Sequence, residues 1–167
     1  MSSGLFDRIL GCIAASHIGS SMGAPVEGWS RERISREYGV LDRLLPYEHY
    51  FNGWLRPPGT TEDGIERQKL ILTAIIEKGD RVTAEDVVKI WLRDIKPESE
   101  GMVSEAFESV LLTMARSGIP ARHLGRYCPW DGLVTVSRSC HGLGIINACD
   151  PNAAIRDTYD VGLLYNT

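Results

Sequence analysis

Apolar positions along most of this chain recur at helical rather than alternating spacing. Leu5, Ile9, Cys12, Ile13, Ile18 and Met22 predict a helix over 5–24. Small residues fill much of the rest, among them Gly11, Ala14, Ala15, Gly19, Ser20 and Ser21, so another helix or a ligand can approach this backbone closely and a central, buried helix is expected. Ala24-Pro25 ends it, because a residue before proline is steered away from helical angles. Ser30 is a fair N-cap for a short helix to Tyr38, with Gly39 as its stop. Residues 40–61 show no periodicity and read as a long loop holding Tyr47, His49, Tyr50, Phe51 and Trp54. Such a loop is either a lid or pocket wall for a flat ligand, or a segment that packs its aromatics on the core.

Beyond the loop, Pro57-Pro58 excludes a helix, Gly59 allows a bend, and Thr60 or Thr61 is expected to cap a helix over 62–78 with Ile65, Leu72, Ile75 and Ile76 as its buried stripe. Thr83, followed by Glu85 and Asp86, opens a helix to about Asp94 that buries Val87, Val88, Ile90, Trp91 and Ile95. A further helix runs through Arg116 with Met102, Val103, Ala106, Val110, Leu111 and Met114 on its apolar side. Residues 121–144 are glycine-rich and irregular, and Val134-Thr135-Val136 is too short to establish a strand. Asp150-Pro151 caps a last helix over 151–164. The expected fold is all-α, in one domain over 1–167. The apolar side chains of residues 161–167 look unfinished, as in a helical bundle incomplete at its C-terminus.

Composition narrows the classes. With 167 residues and 43% hydrophobic content, the chain has the material for a substantial core. A net charge of −4 with no Lys/Arg cluster disfavours a nucleic-acid partner. No run of about 18 apolar residues is seen, since Arg8 and His17 break the N-terminal stretch, so neither a membrane span nor a signal peptide is expected and the cytoplasm is the expected compartment. Cys12, Cys128, Cys140 and Cys149 form no CxxC pair and read as buried thiols. Cys140-His141 is read as packing ahead of a catalytic pair.

The candidate chemistry sits at the start of the helix over 62–78. Thr61, Glu62 and Asp63 put a hydroxyl and two carboxylates on a rigid helix end, which suits either capping or half of a site for a hard cation such as Mg²⁺. Glu27, just past the first helix, is either a solvated loop acid or one that faces a pocket.

Three segments carry a resemblance to a known family. The run Arg8 to Glu27, closing in Gly23-Ala24-Pro25-Val26-Glu27, resembles the opening helix of the ADP-ribosylglycohydrolases (dinitrogenase reductase-activating glycohydrolase-like), which closes in Leu-Gly-Ala-Pro-x-Glu. Gly59-Thr60-Thr61-Glu62-Asp63 resembles that family's Gly-x-Thr-Asp-Asp metal motif, and Ser137 to Ile145 is loosely similar to its Met-Arg-x-x-Pro-x-Gly segment. The resemblance implies an all-α hydrolase that holds two Mg²⁺ ions and cuts an N- or O-glycosidic bond of an ADP-ribosyl or nucleoside-like substrate. It implies Glu27 and Asp63 as catalytic acids and Thr61, Glu62 and Asp63 as metal ligands. Tyr50, Trp54, Arg138 and His141 are the expected substrate contacts. Departures accompany the matches. Glu62 stands where the family has aspartate, Gly64 where it has threonine, and Ser20 where many members have aspartate. The second metal motif, Asp-x-Asp-Thr, is absent, and Asp157-Thr158 is the sole Asp-Thr pair. The chain therefore looks like the N-terminal half of such a protein, with a missing C-terminal half or a second copy as the expected partner. The alternative is a non-catalytic relative that keeps the scaffold for binding.

Overall fold

A computed structural model describes residues 4–48, 55–96, 106–130 and 135–166. The chain divides into two compact units, residues 1–65 and 66–167. Among the described residues the regular structure is helical apart from one antiparallel pairing of two residues on each side, so the all-α expectation holds.

The first unit opens with α1 (Gly4–Gly23), whose last turn tightens into a 3₁₀ turn over Ala24–Val26 with Pro25 inside it. Expected to be central and buried, α1 instead has Ser21 as its one buried residue, and Leu5, Phe6, Leu10 and Ile18 are more than half exposed. The reason is in its pattern: small and apolar residues alternate around the whole circumference, so no single face is rich enough to define a core stripe. Gly4–Val26 is long and apolar enough to cross a membrane by length and composition alone, a test that core helices and signal sequences also pass, with Asp7 and Arg8 together near one end. α2 (Arg31–Tyr38) follows the expectation closely. Ser30 Oγ accepts from the Arg33 amide at 3.2 Å, and Gly39 ends the helix at φ +70°, a conformation open to glycine. Where an irregular loop was expected, β1 (Tyr47–Glu48) pairs with β2 (Leu55–Arg56), Tyr47 opposite Arg56.

α3 (Asp63–Lys78) starts in the first unit and continues into the second. Its buried apolar residues are Ile65, Leu70, Ile71 and Ala74, whereas Ile76, expected in the stripe, is 76% exposed; the burying face is centred on Ile71, one turn from Arg67 and Gln68, which are also buried. In the second unit α4 (Ala84–Asp94) begins with a reciprocal cap: Asp86 N donates to Thr83 Oγ1, and Thr83 N donates to Asp86 Oδ2. Its Val87, Val88, Ile90 and Trp91 are buried as predicted, with Ile95 just after. α5 (Ala106–Arg116) packs beside it; Met102 and Val103 lie outside the described residues. The irregular stretch resolves into 3₁₀ turns over Ala121–Tyr127 and Val136–Arg138 and a short helix, α6 (His141–Ile146). α7 (Pro151–Gly162) has Asp150 as its cap, with Oδ1 accepting from the Ala153 amide at 2.9 Å.

The core of this unit gathers Ile71, Val87, Trp91, Leu111, Leu124 and Leu143 with Val161, Leu164 and Tyr165. Trp91 and Tyr165 pack ring to ring at 5.3 Å and 57°, a tilted geometry that aromatic quadrupoles favour. The segment after α7 is therefore seated, contrary to expectation: Leu164 and Tyr165 have no solvent exposure, and the Leu163 carbonyl accepts from Gly125 N at 2.9 Å. The thiols depart from expectation too. Cys12 and Cys149 are exposed, and Cys128 and Cys140 are half-buried. Cys12 rides on the exposed α1, and Cys149 occupies the turn before α7 at φ +70°.

Candidate active site

The motif at 59–63 is held from two sides within the first unit. α1 supplies one. Ser21 Oγ donates to the Gly59 carbonyl at 3.0 Å, and the Glu62 amide donates to Ser20 Oγ at 3.2 Å. Ser20 thus takes up one of the amides that a helix start leaves without an internal partner. Thr60, a predicted cap, does something else: its Oγ1 donates to the Pro57 carbonyl at 2.8 Å, closing the turn whose Gly59 sits at φ +88°.

The two-strand pairing supplies the other side. Its register sets Tyr47 opposite Arg56, and both converge on Glu62. Arg56 Nη1 donates to Glu62 Oε1 at 2.9 Å and to the Tyr47 hydroxyl at 3.3 Å, while the Tyr47 hydroxyl donates to the same Glu62 oxygen. All three residues are about 5–6% exposed. Burial first, and then the hydrogen bond to the Glu62 carboxylate, push the Tyr47 phenol up to about 12. On Arg56, burial alone acts downward, but its contacts with Tyr47 and Glu62 outweigh it and its guanidinium is held still more firmly protonated.

Glu27 ends the 3₁₀ turn that follows α1 and is exposed, with its amide donating to the Ala24 carbonyl at 3.3 Å. The same turn packs on β1, so Glu27 stands next to the structure that supports the motif. Thr61 and Asp63 are partly exposed on either side of the buried Glu62. The alternation follows from the backbone: where the chain enters a helix, successive side chains diverge, and one of three adjacent residues must turn inward.

Fitted against a divalent cation, the three donors are unequal. Thr61 and Asp63 are partly exposed residues, whereas Glu62 is buried and its Oε1 accepts from a guanidinium and a hydroxyl. Among the described residues no group of three His, Cys, Asp or Glu side chains is arranged to hold a metal. Of the three, Glu62 is therefore the donor least available to an ion.

The other predicted site residues fall elsewhere. Tyr50 and Trp54 lie outside the described residues, as do His49 and Phe51. Arg138 is exposed at the end of a 3₁₀ turn in the second unit, and His141 is the first residue of α6, with its Nδ1 buried and without a hydrogen-bond partner among the described residues. Cys140 Sγ lies 3.5 Å from the Ser137 carbonyl, to which it donates. The second unit also has a cavity of about 630 Å³ between the 136–144 segment and α7. Val136, Ala154, Ile155 and Leu163 give it an apolar lining, which offers no cationic donor to a phosphate-bearing ligand. Asp157, of the sole Asp-Thr pair, is committed to structure. It accepts from Arg81 Nε at 2.8 Å, Arg81 Nη2 at 2.6 Å and Asn147 Nδ2 at 2.7 Å.

Two participants escaped the sequence reading. In the sequence Tyr47 is one of several loop aromatics, and Arg56 carries no signal at all. A cation one residue before Pro-Pro and six before an acid is an unremarkable pattern until the strand register folds it back.

In this helical chain an acid-bearing helix start is thus pinned to the end of a small-residue helix. The comparison with known proteins gives it a family: the chain matches the ADP-ribosylglycohydrolase family over residues 1–165 and belongs to it. It is also 42% identical over 40 residues to the uncharacterized protein YegU of Escherichia coli (strain K12), a match that takes in 24% of this chain and 12% of that protein.

Proposed function

We propose that this chain carries part of the catalytic centre of a glycohydrolase that cleaves an N- or O-glycosidic bond of an ADP-ribosyl or nucleoside-like substrate. Family membership over nearly the whole chain supports the reaction class. The observation that carries the assignment to these residues is a pair of hydrogen bonds, one from the Glu62 amide to Ser20 Oγ and one from Ser21 Oγ to the Gly59 carbonyl. They fasten α1, whose following 3₁₀ turn leads into Glu27, to the loop that leads into Asp63. Two carboxylates presented from one braced scaffold are what hydrolysis at an anomeric carbon needs. One takes the proton of the attacking water, which ends on the departing nitrogen or oxygen, while the other stabilises positive charge on the ring as that bond breaks. We assign the proton-moving role to Glu27, which is exposed, and the charge-stabilising role to Asp63 at the start of α3. No step in this reading passes through magnesium.

The test is release of ribose or ADP-ribose from a panel of N- and O-linked substrates, resolved by chromatography. Glu27→Gln and Asp63→Asn are each expected to lower release by about 100-fold or more, the scale of losing a positioned acid or base. Turnover that survives both substitutions would refute the assignment.

A second reading, a non-catalytic relative that binds the same class of ligand, is favoured by the commitment of Asp157 to Arg81 and Asn147. Saturable binding of ADP-ribose with no turnover of any substrate would select it.

A further inference from the structure

We propose that Glu62 is withdrawn from cation binding and serves instead as an internal anchor that ties β1 and β2, through Tyr47 and Arg56, to the start of α3. The inference rests on the proposed reading of 61–63 as part of the active site.

Three observations carry it. First, Glu62 already has its cation. Arg56 Nη1 is 2.9 Å from Oε1, in surroundings where all three partners are about 5–6% exposed. A divalent ion at that oxygen would stand beside a fixed guanidinium, with little water to screen the repulsion. Second, the length of the side chain matters. An aspartate in place of Glu62 would end one carbon–carbon bond, about 1.5 Å, sooner. The extra methylene is what gives the carboxylate its reach to Arg56 and Tyr47. Third, the backbone is fixed independently, by the Glu62 amide on Ser20 Oγ at 3.2 Å. The residue is held at both ends, and Ser20 brings a neutral hydroxyl rather than another acid to the motif.

Electron paramagnetic resonance of free Mn²⁺, titrated with wild type, Glu62→Gln, Asp63→Asn, Arg56→Gln and the double variant Arg56→Gln/Glu62→Gln, tests it. Glu62→Gln is expected to leave the Mn²⁺ dissociation constant within about twofold of wild type, while Asp63→Asn weakens it by about tenfold or more. Arg56→Gln frees a carboxylate and is expected to tighten Mn²⁺ by several-fold, a gain that the double variant loses. Equal weakening by Glu62→Gln and Asp63→Asn would overturn the inference. A wild type that binds no Mn²⁺, beside an Arg56→Gln variant that binds it through Glu62, would sustain the inference while removing metal from the site; no binding by either would end both. If Glu62→Gln does not fold, the wild-type Glu62 ¹³Cδ resonance decides instead. It is expected to stay in place on addition of Mg²⁺, and movement with the ion would sink the idea.

Discussion

Arg81 clasps Asp157 with both arms of its guanidinium, Nε on one carboxylate oxygen at 2.8 Å and Nη2 on the other at 2.6 Å. The contact joins residues 76 positions apart and is reinforced by Asn147. The Arg81 hydrogen bond holds the Asp157 carboxyl below the usual carboxylate range, so folding favours its ionised form. That contribution is complete above the unfolded value of about 4 and is lost as pH falls through the lower folded value. Since Arg81 is 44% exposed, water screens the pair, and Asp157→Asn is expected to cost about 1 kcal/mol at pH 7. Urea unfolding should show that difference shrinking towards pH 3.

Thr83 and Asp86 cap α4 reciprocally, and Thr83→Ala is expected to cost about 1 kcal/mol by the same assay. On its own, burial favours the protonated Asp86 carboxyl, but the Lys78 hydrogen bond at 2.6 Å and those from Thr83 outweigh it and hold the carboxyl well below its usual range. Thr83→Ala removes one of those hydrogen bonds. Its thermal midpoint should therefore lose less than the wild type's on acidification from pH 5 to pH 2.

Gly125 and Gly142 make a ranked pair. A methyl group on Gly142 would meet the tip of Leu72 at 2.8 Å, a side chain with rotamers to spare, whereas one on Gly125 would meet the Asn166 backbone at 2.6–2.7 Å. Gly142→Ala is expected to cost about 1–3 kcal/mol, the common range for overpacking. Gly125→Ala should cost more, because backbone cannot rotate aside. A Gly125→Ala protein as stable as Gly142→Ala would contradict the packing described around residues 163–166.

Tyr47 is expected to titrate late. With its phenol pushed up to about 12, the fold favours the neutral form. The stability this gives is complete below pH 10 and is lost as pH rises through 12. In an ultraviolet titration one tyrosine should lag the main phenolate transition, and Arg56→Gln should shift that lagging component. Tyr47→Phe should abolish it.

Legibility followed the range of the interactions. The helices were readable where periodicity and a nearby cap agreed, as at Thr83 and Asp86, Ser30 and Gly39, or Asp150 and Pro151. Local rules failed where a partner came from far along the chain. The inward turn of Glu62 depends on Tyr47 and Arg56, which only strand register brings together, and the burial of Leu164 and Tyr165 depends on Leu124 and Trp91. The exposure of α1 is not legible in its sequence, because small residues permit close packing without requiring it. At the site, residue types and spacing pointed to Glu27, Thr61, Glu62 and Asp63 but could not distinguish an acid facing a ligand from one facing an arginine.

The hydroxyl that receives the Glu62 amide, immediately before α3, belongs to Ser20, 42 residues upstream. A helix capped by its own neighbours can nucleate as soon as its segment is free, but this one must wait for a loop of that length to close. The first turn of α3 is therefore expected to form late in folding, after α1 and β1–β2 have come together, and a peptide spanning 57–78 should fray at the end that bears Thr61 and Asp63. Order of assembly gives the acids a built-in safeguard: they reach their final positions only once the scaffold beneath them is in place.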